Sequence, residues 1–230
     1  MKALSIVPEN GVYREMLVTL SGITITNQTG VNTPLSSSSL PTPVLLDSGT
    51  SLTYLPTDIF KQFANVFNAV DNSGELIIDC SFETTQSRGY VAFAFGDSSG
   101  TATINVPIDE LIQAIPGDSK NCLLGVLEGS NDTYVLGDVF LRSAYVIYDL
   151  THNQIGLAQA NYESSTSTMV EFQASDSGIP TLTGQASGTT IEPGSKSGAV
   201  ATVASLETGA LLMLTLTALF TILGGACFFA

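Results

Sequence analysis

Residues 12–26, VYREMLVTLSGITIT, alternate apolar and polar side chains on both sides of Ser21-Gly22. That period of two predicts a pair of strands joined by a tight turn. Residues 27–42 are rich in Ser, Thr, Asn and Pro and predict a surface loop. The next stretch, PVLLDSGTSLTYLP at 43–56, is a short apolar strand that ends on Asp47 and turns through Ser48, Gly49 and Thr50. In TDIFKQFANVFNAV (57–70), Ile59, Phe60, Phe63, Phe67 and Val70 fall on one helical face, and Thr57 is a candidate N-cap. Short strand patterns follow in ELIIDC, YVAFAFG, TATINVPI and CLLGVLEG, punctuated by Gly, Asn, Asp and Ser. Residues 133–162 read as strand, short helix, strand, turn, strand, and the chain shows no internal repeat. The expected fold is mainly β, largely antiparallel, with one or two short helices.

The pattern changes after Tyr162. Residues 163–207 are rich in Ser, Thr and Gly without sustained periodicity, so they predict a disordered and O-glycosylated stalk. Residues 208–230 form the last segment, and from Gly209 onward it is apolar and uncharged, long enough to span a bilayer. No Lys or Arg follows it to mark a cytoplasmic side. Upstream stand the small residues Ser197, Gly198 and Ala199, then a spacer from Val200 to Thr208. Small residues, spacer and terminal apolar tail make the signal for a glycosylphosphatidylinositol (GPI) anchor. Ser197 is the expected attachment residue, with Gly198 and Ser195 as rivals, and a retained membrane span is the other reading. The expected organisation is thus a folded domain at 1–162, a stalk at 163–207 and an attachment signal at 208–230.

Charge narrows the function class. The 21 acidic against 7 basic residues give a formal charge of −14, which repels phosphate backbones and argues against nucleic-acid binding. Of the three cysteines, Cys227 lies in the apolar tail. Cys80 and Cys122 fit no zinc or CxxC spacing, and they read either as a disulfide or as two buried thiols. The sequons Asn27-Gln28-Thr29 and Asn131-Asp132-Thr133 point to an exported, glycosylated protein. The apolar run after Met1-Lys2 is nevertheless too short for a signal-peptide core.

Asp47 carries the candidate chemistry. A carboxylate at a strand end can act as general base on water, and two facing carboxyls cannot both ionise, so they share one proton. The ionised member then takes a proton from water while the protonated one polarises a substrate carbonyl. Small neighbours let two such turns approach each other. Gly49 can offer its N–H to the carboxylate and Thr50 its hydroxyl, and Ser48 can bond across to a matching turn.

On these residues LLDSGTSLTYLP resembles the second catalytic turn of the pepsin-like (A1) aspartic proteases, the copy in the C-terminal lobe. TYVLGDVFLRSAYVIYDLTHNQIGLAQANY resembles the family's downstream strand that passes behind that turn, with Leu136-Gly137 at the crossing. The closing AQANY, the stalk and the GPI signal look most like the fungal yapsin group. The resemblance implies a single lobe of the acid-protease fold and Asp47 as catalytic residue. It also implies that Ser48, Gly49, Thr50 and Ser51 support the dyad or bind substrate. It implies further a Cys80–Cys122 disulfide, peptide or protein substrates and no cofactor, and no cluster of residues suggests a metal. It places the protein at the cell surface or cell wall, held to the plasma membrane through the anchor.

No DTGS-like turn precedes Asp47, and Tyr13, Tyr54 and Tyr90 match no flap pattern, so a first lobe carrying the second Asp is expected to be missing from this chain. Two other readings stand beside this one: a catalytically inactive, GPI-anchored surface protein that keeps one lobe, and a self-paired lobe in which two copies of Asp47 meet. Asp176-Ser177-Gly178 repeats the triplet without an apolar strand and reads as a chance turn. Asp138 reads as a helix N-cap and Asp149 as a turn residue. His152, the single histidine, reads as solvated.

Overall fold

The computed structural model describes residues 1–13, 15–82, 89–97, 100–130, 133–162, 171 and 178–179. The chain folds into a large mixed sheet and a separate three-stranded sheet, as the β-rich pattern predicts. Alternation explains one end of the large sheet, where β9 is the last strand. In β8 (Tyr90–Asp97) Val91, Phe93 and Phe95 point inward, and in β9 (Gly100–Pro107) Ala102, Ile104 and Val106 do. The two strands pair antiparallel from Tyr90↔Pro107 onward.

On the other side β8 pairs with β2 (Leu17–Thr26), a single strand that runs straight through Ser21-Gly22. The turn expected there is instead a bulge. The register slips between Leu20 and Gly22, leaving Ser21 as the extra, exposed residue, with its hydroxyl on the Ala94 carbonyl at 3.1 Å. Leu20 before the bulge and Gly22 after it pair with the same strand, so the chain absorbs the break in alternation without reversing. The expected loop at 27–42 also holds a strand, β3 (Asn32–Leu35), on the edge of β2. Pro34 is tolerated there because an edge strand can spare its N–H.

Helix α1 (Thr57–Phe67) buries Ile59, Phe60, Phe63 and Phe67, the face its sequence predicts. Two details differ from expectation. Pro56 occupies the N-cap position, and the Thr57 hydroxyl donates to Glu128 at 2.5 Å. Val70 is 67% exposed because Asn68 turns left-handed and stops the helix before it. The following strands β6 (Val70–Asn72) and β7 (Glu75–Asp79) form a hairpin beside β11 (Asn121–Glu128).

Residues at the start of the chain also join the fold. β1 (Lys2–Ser5) pairs with β14 (Gln154–Gln159), which pairs with β13 (Ala144–Asp149), and Leu4 and Ile6 are buried. Ile179, inside the expected stalk, is buried too, with its N–H on the Gln154 side chain at 3.3 Å. Asn131, Ser197, the tail at 208–230 and the stalk apart from Glu171, Gly178 and Ile179 lie outside the described residues.

Cys80 and Cys122 form a disulfide at the end of the β7–β11 ladder, where the Cys80 N–H also donates to the Lys120 carbonyl at 2.9 Å. The bridge spans a sequence separation of 42. Fixing a loop of that length removes about 4 kcal/mol of entropy from the unfolded chain in a loop-closure treatment. Replacing both cysteines by alanine should therefore lower unfolding free energy in urea by an amount of that order, and an unchanged midpoint would contradict the assignment of the bridge as a stabilising staple.

Candidate active site

Strand β4 (Thr42–Leu46) buries Thr42, Val44 and Leu46 and delivers Asp47 to its end. Strand β5 (Thr53–Leu55) leaves the same turn, and its neighbours are set by chain from far downstream. The two-residue strand β12 (Val135–Leu136) inserts between them, parallel to β4 through Leu136↔Leu46 and antiparallel to β5 through Leu136↔Thr53. The Leu45 N–H donates to Tyr134 at 2.9 Å and the Asp47 N–H to Leu136 at 3.2 Å, so the strand entering the carboxylate is tied to this insert.

Gly137 follows at the point of closest approach. A Cβ there would lie 2.2 Å from the Thr50 carbonyl oxygen and 2.5 Å from that of Leu52. Only a glycine lets the backbone pass under the turn. Past it, the Asp138 N–H donates to the Thr50 carbonyl at 2.8 Å and the Val139 N–H to Ser51 at 3.1 Å. Helix α2 (Asp138–Leu141) then anchors the crossing in the core. Its Phe140 meets Phe93 and Phe95 edge-on, with ring centroids at 5.3 and 5.6 Å. Gly137 stands at the cap of α2, so the expected N-cap role of Asp138 is corrected: its contribution here is the main-chain bond to the turn.

Within the turn, the Gly49 N–H donates to Asp47 Oδ1 at 2.9 Å and the Thr50 hydroxyl to Oδ2 at 2.6 Å. These two donors, Thr50 foremost, hold the Asp47 carboxyl below its ordinary value of 3.8 against a small opposing effect of burial. Both bond the charged form, so the group is ionised through the mildly acid range. A Cβ on Gly49 would come within 3.2 Å of Oδ1, which explains the small residue beside the carboxylate. Ser48 and Ser51 are exposed, and Ser51 contributes its carbonyl to the crossing. Among the described residues no second carboxyl is hydrogen-bonded to Asp47.

Sequence reasoning missed Tyr148. Its hydroxyl donates to the Leu46 carbonyl at 3.2 Å, across 102 residues. Burial, and after it the Asp47 charge, raises its pKa. No local pattern in AYVIYD signals that contact. Asp149 does serve its turn, accepting from the Thr151 and His152 N–H groups at 3.1 Å. His152 is exposed in this turn, as expected, and its Nδ1 lies 2.8 Å from Asp149 Oδ2.

An apolar strand ending on an ionised Asp, with a distant strand threaded behind its turn, defines one lobe of an acid protease of the pepsin type. The comparisons agree. The family model of eukaryotic aspartyl proteases matches residues 7–160, and the chain belongs to that family. It is 35% identical over 191 residues to a probable aspartic-type endopeptidase opsB of Aspergillus oryzae, covering 80% of this chain and 38% of that protein. It is 37% identical over 158 residues to aspartic proteinase 3 of Saccharomyces cerevisiae, covering 67% of this chain and 26% of that protein. Barrierpepsin of the same yeast is 42% identical over 125 residues, 54% of this chain and 20% of its own. The chain thus spans well under half the length of these relatives.

Two substitutions test the construction. Gly137→Ala forces a methyl into the Thr50 carbonyl and should destabilise the lobe by about 3 kcal/mol or more, read by chemical denaturation. Thr50→Val removes the leading donor to the carboxylate, so the Asp47 midpoint in a carbon-detected NMR titration should rise toward its ordinary value. A midpoint that stays put would show that Thr50 does not hold the charge.

Proposed function

We propose that this chain supplies the second catalytic half of a two-lobed aspartic endopeptidase, with Asp47 as the ionised member of the dyad. The observation that carries the reading is the Asp47 carboxylate, held in its charged form by Thr50 and Gly49 at the closed β4–β12–β5 crossing. Such a group can take a proton from water. A second carboxyl, kept protonated because two facing carboxyls cannot both ionise, polarises the scissile carbonyl and gives its proton to the carbonyl oxygen as water adds, becoming the carboxylate while Asp47 becomes the acid. That acid belongs to a matching lobe outside these residues, a reading supported by the fraction of each relative that the chain covers. Leu136 and Gly137 support the loop, while Ser48 and Ser51 are open to a facing turn or to substrate. The substrates are peptides or proteins, as the relatives named endopeptidase suggest.

The test is to assemble the lobe with a matching first lobe and assay peptide cleavage at acid pH. Asp47→Asn should lower pepstatin-sensitive cleavage by at least about 10²-fold, since it removes the base. Near-UV circular dichroism should stay unchanged. Because Asp47 is held below its ordinary value, the acid limb of the pH profile should fall only below that value. Equal cleavage by Asp47→Asn would sink the reading and favour the inactive surface protein. Cleavage by the chain alone, lost in Asp47→Asn, would favour self-pairing of two copies.

The same reading places the protein outside the cell, on a GPI anchor. Asn27 sits half-exposed in the β2–β3 turn, and its Oδ1 accepts from the Thr29 N–H, the Thr29 hydroxyl and the Val31 N–H at 2.8–3.0 Å. None of these bonds uses Nδ2, the atom a glycan would occupy. Peptide mass mapping of the exported protein should find glycan on Asn27 and Asn131 and an end at Ser197. Recovery of residues 208–230 in the mature protein would contradict the anchor, and bare Asn27 would contradict its glycosylation.

A further inference from the structure

One peptide group decides where the Asp47 carboxylate stands: the unit joining Leu46 to Asp47. Its N–H donates to the Leu136 carbonyl at 3.2 Å, and its C=O accepts from the Tyr148 hydroxyl at 3.2 Å. In a trans peptide these two groups point in opposite directions, so the plane is gripped from both sides. The second grip is not a ladder bond. On the side away from β12, the β2–β4 pairing ends at Leu17↔Leu45, so the Leu46 carbonyl lies one residue past its last partner on β2. Leu46 itself is 3% exposed, and a carbonyl leaving such a residue needs a partner. Tyr148 comes from β13, in the other sheet, and takes that place.

Resting on the reading of Asp47 as the dyad carboxylate, we propose that Tyr148 is a positioning residue: its hydroxyl locks the Leu46–Asp47 peptide and so fixes the direction in which the carboxylate projects. It touches neither proton nor water itself. Its effect passes through one peptide plane to a side chain whose two other bonds, from Gly49 and Thr50, depend on that plane being still. The geometry also explains why the ring is tyrosine: a phenylalanine would cover the same apolar surface and leave the carbonyl unbonded. Consistent with this proximity, the Asp47 charge opposes ionisation of the phenol.

The test uses the full chain in detergent, with Tyr148→Phe and with a ring-fluorinated tyrosine at 148, a stronger donor of nearly the same shape. Loosening the peptide weakens the Thr50 and Gly49 bonds to the charged carboxyl, so Tyr148→Phe should raise the Asp47 midpoint in an NMR titration by a few tenths of a unit. The fluorinated residue should lower it or leave it in place. In Asp47→Asn the Tyr148 phenol should ionise at lower pH than in the parent. Once the first lobe is supplied, Tyr148→Phe should reduce kcat several-fold with KM unchanged. An Asp47 midpoint that does not move in Tyr148→Phe overturns the proposal, whether or not the chain is ever an active peptidase. A rise in KM at constant kcat overturns it too, by making Tyr148 a substrate contact. The titrations need no turnover, so failure of the catalytic reading and failure of this one are separately visible.

Discussion

The passage of Gly137 beneath the Asp47 turn is the constraint on which the rest of the lobe depends. With 2.2 Å between a would-be Cβ and the Thr50 carbonyl, no other residue lets β12 reach its slot. Once there, it accepts from Asp47 through Leu136, and the start of α2 donates to the turn through Asp138 and Val139. Those main-chain bonds convert an exposed glycine-containing loop, which by itself would be mobile, into a fixed platform for one carboxylate. The aromatic packing of Phe140 against Phe93 and Phe95 holds the platform to the core of the large sheet. The geometry of the Asp47 turn and the packing of the core are therefore one construction.

Electrostatics at the turn follow from the same closeness. Neutral donors, a hydroxyl and an N–H, stabilise the charge of Asp47, and the group remains near solvent. A lone carboxylate so arranged is poised to accept a proton but has no means to donate one. The chemistry of peptide hydrolysis needs both, which is why the proposed partner lobe enters as a chemical requirement and not only as a resemblance. Thr53, one strand position beyond the turn, is fully buried with its hydroxyl unpartnered among the described residues. It marks a place where the sheet tolerates a small polar cost beside the site.

Much of this was legible in the sequence, and the reasons differ by residue. Asp47, Gly49 and Thr50 are neighbours in the chain, so their bonding could be drawn from local chemistry alone. Alternation in YVAFAFG and TATINVPI gave β8 and β9 because each buries one face. Leu136-Gly137 was reached only through resemblance, since nothing local says that a distant strand must pass behind a turn. Tyr148 was missed for the same reason, its partner lying 102 residues away. The misread break at Ser21-Gly22 shows the limit of period counting. A lost beat in the alternation is common to a turn and a bulge, and only the partner strand distinguishes them. β1 was overlooked because four residues with one buried side chain carry no pattern.

The threading of β12 also bears on how the lobe comes to be built. β4 and β5 leave the same turn and are close enough in sequence to pair with each other as a hairpin, an event that takes microseconds. In the folded lobe they never do, since the slot between them belongs to residues made much later. A chain emerging in order must keep two neighbouring strands apart, or release them, until residues 135–137 arrive. Asp47 therefore cannot acquire its environment before residues 135–139 are present. A lobe interrupted before Gly137 would carry the signature turn without the carboxylate geometry that gives the turn its meaning.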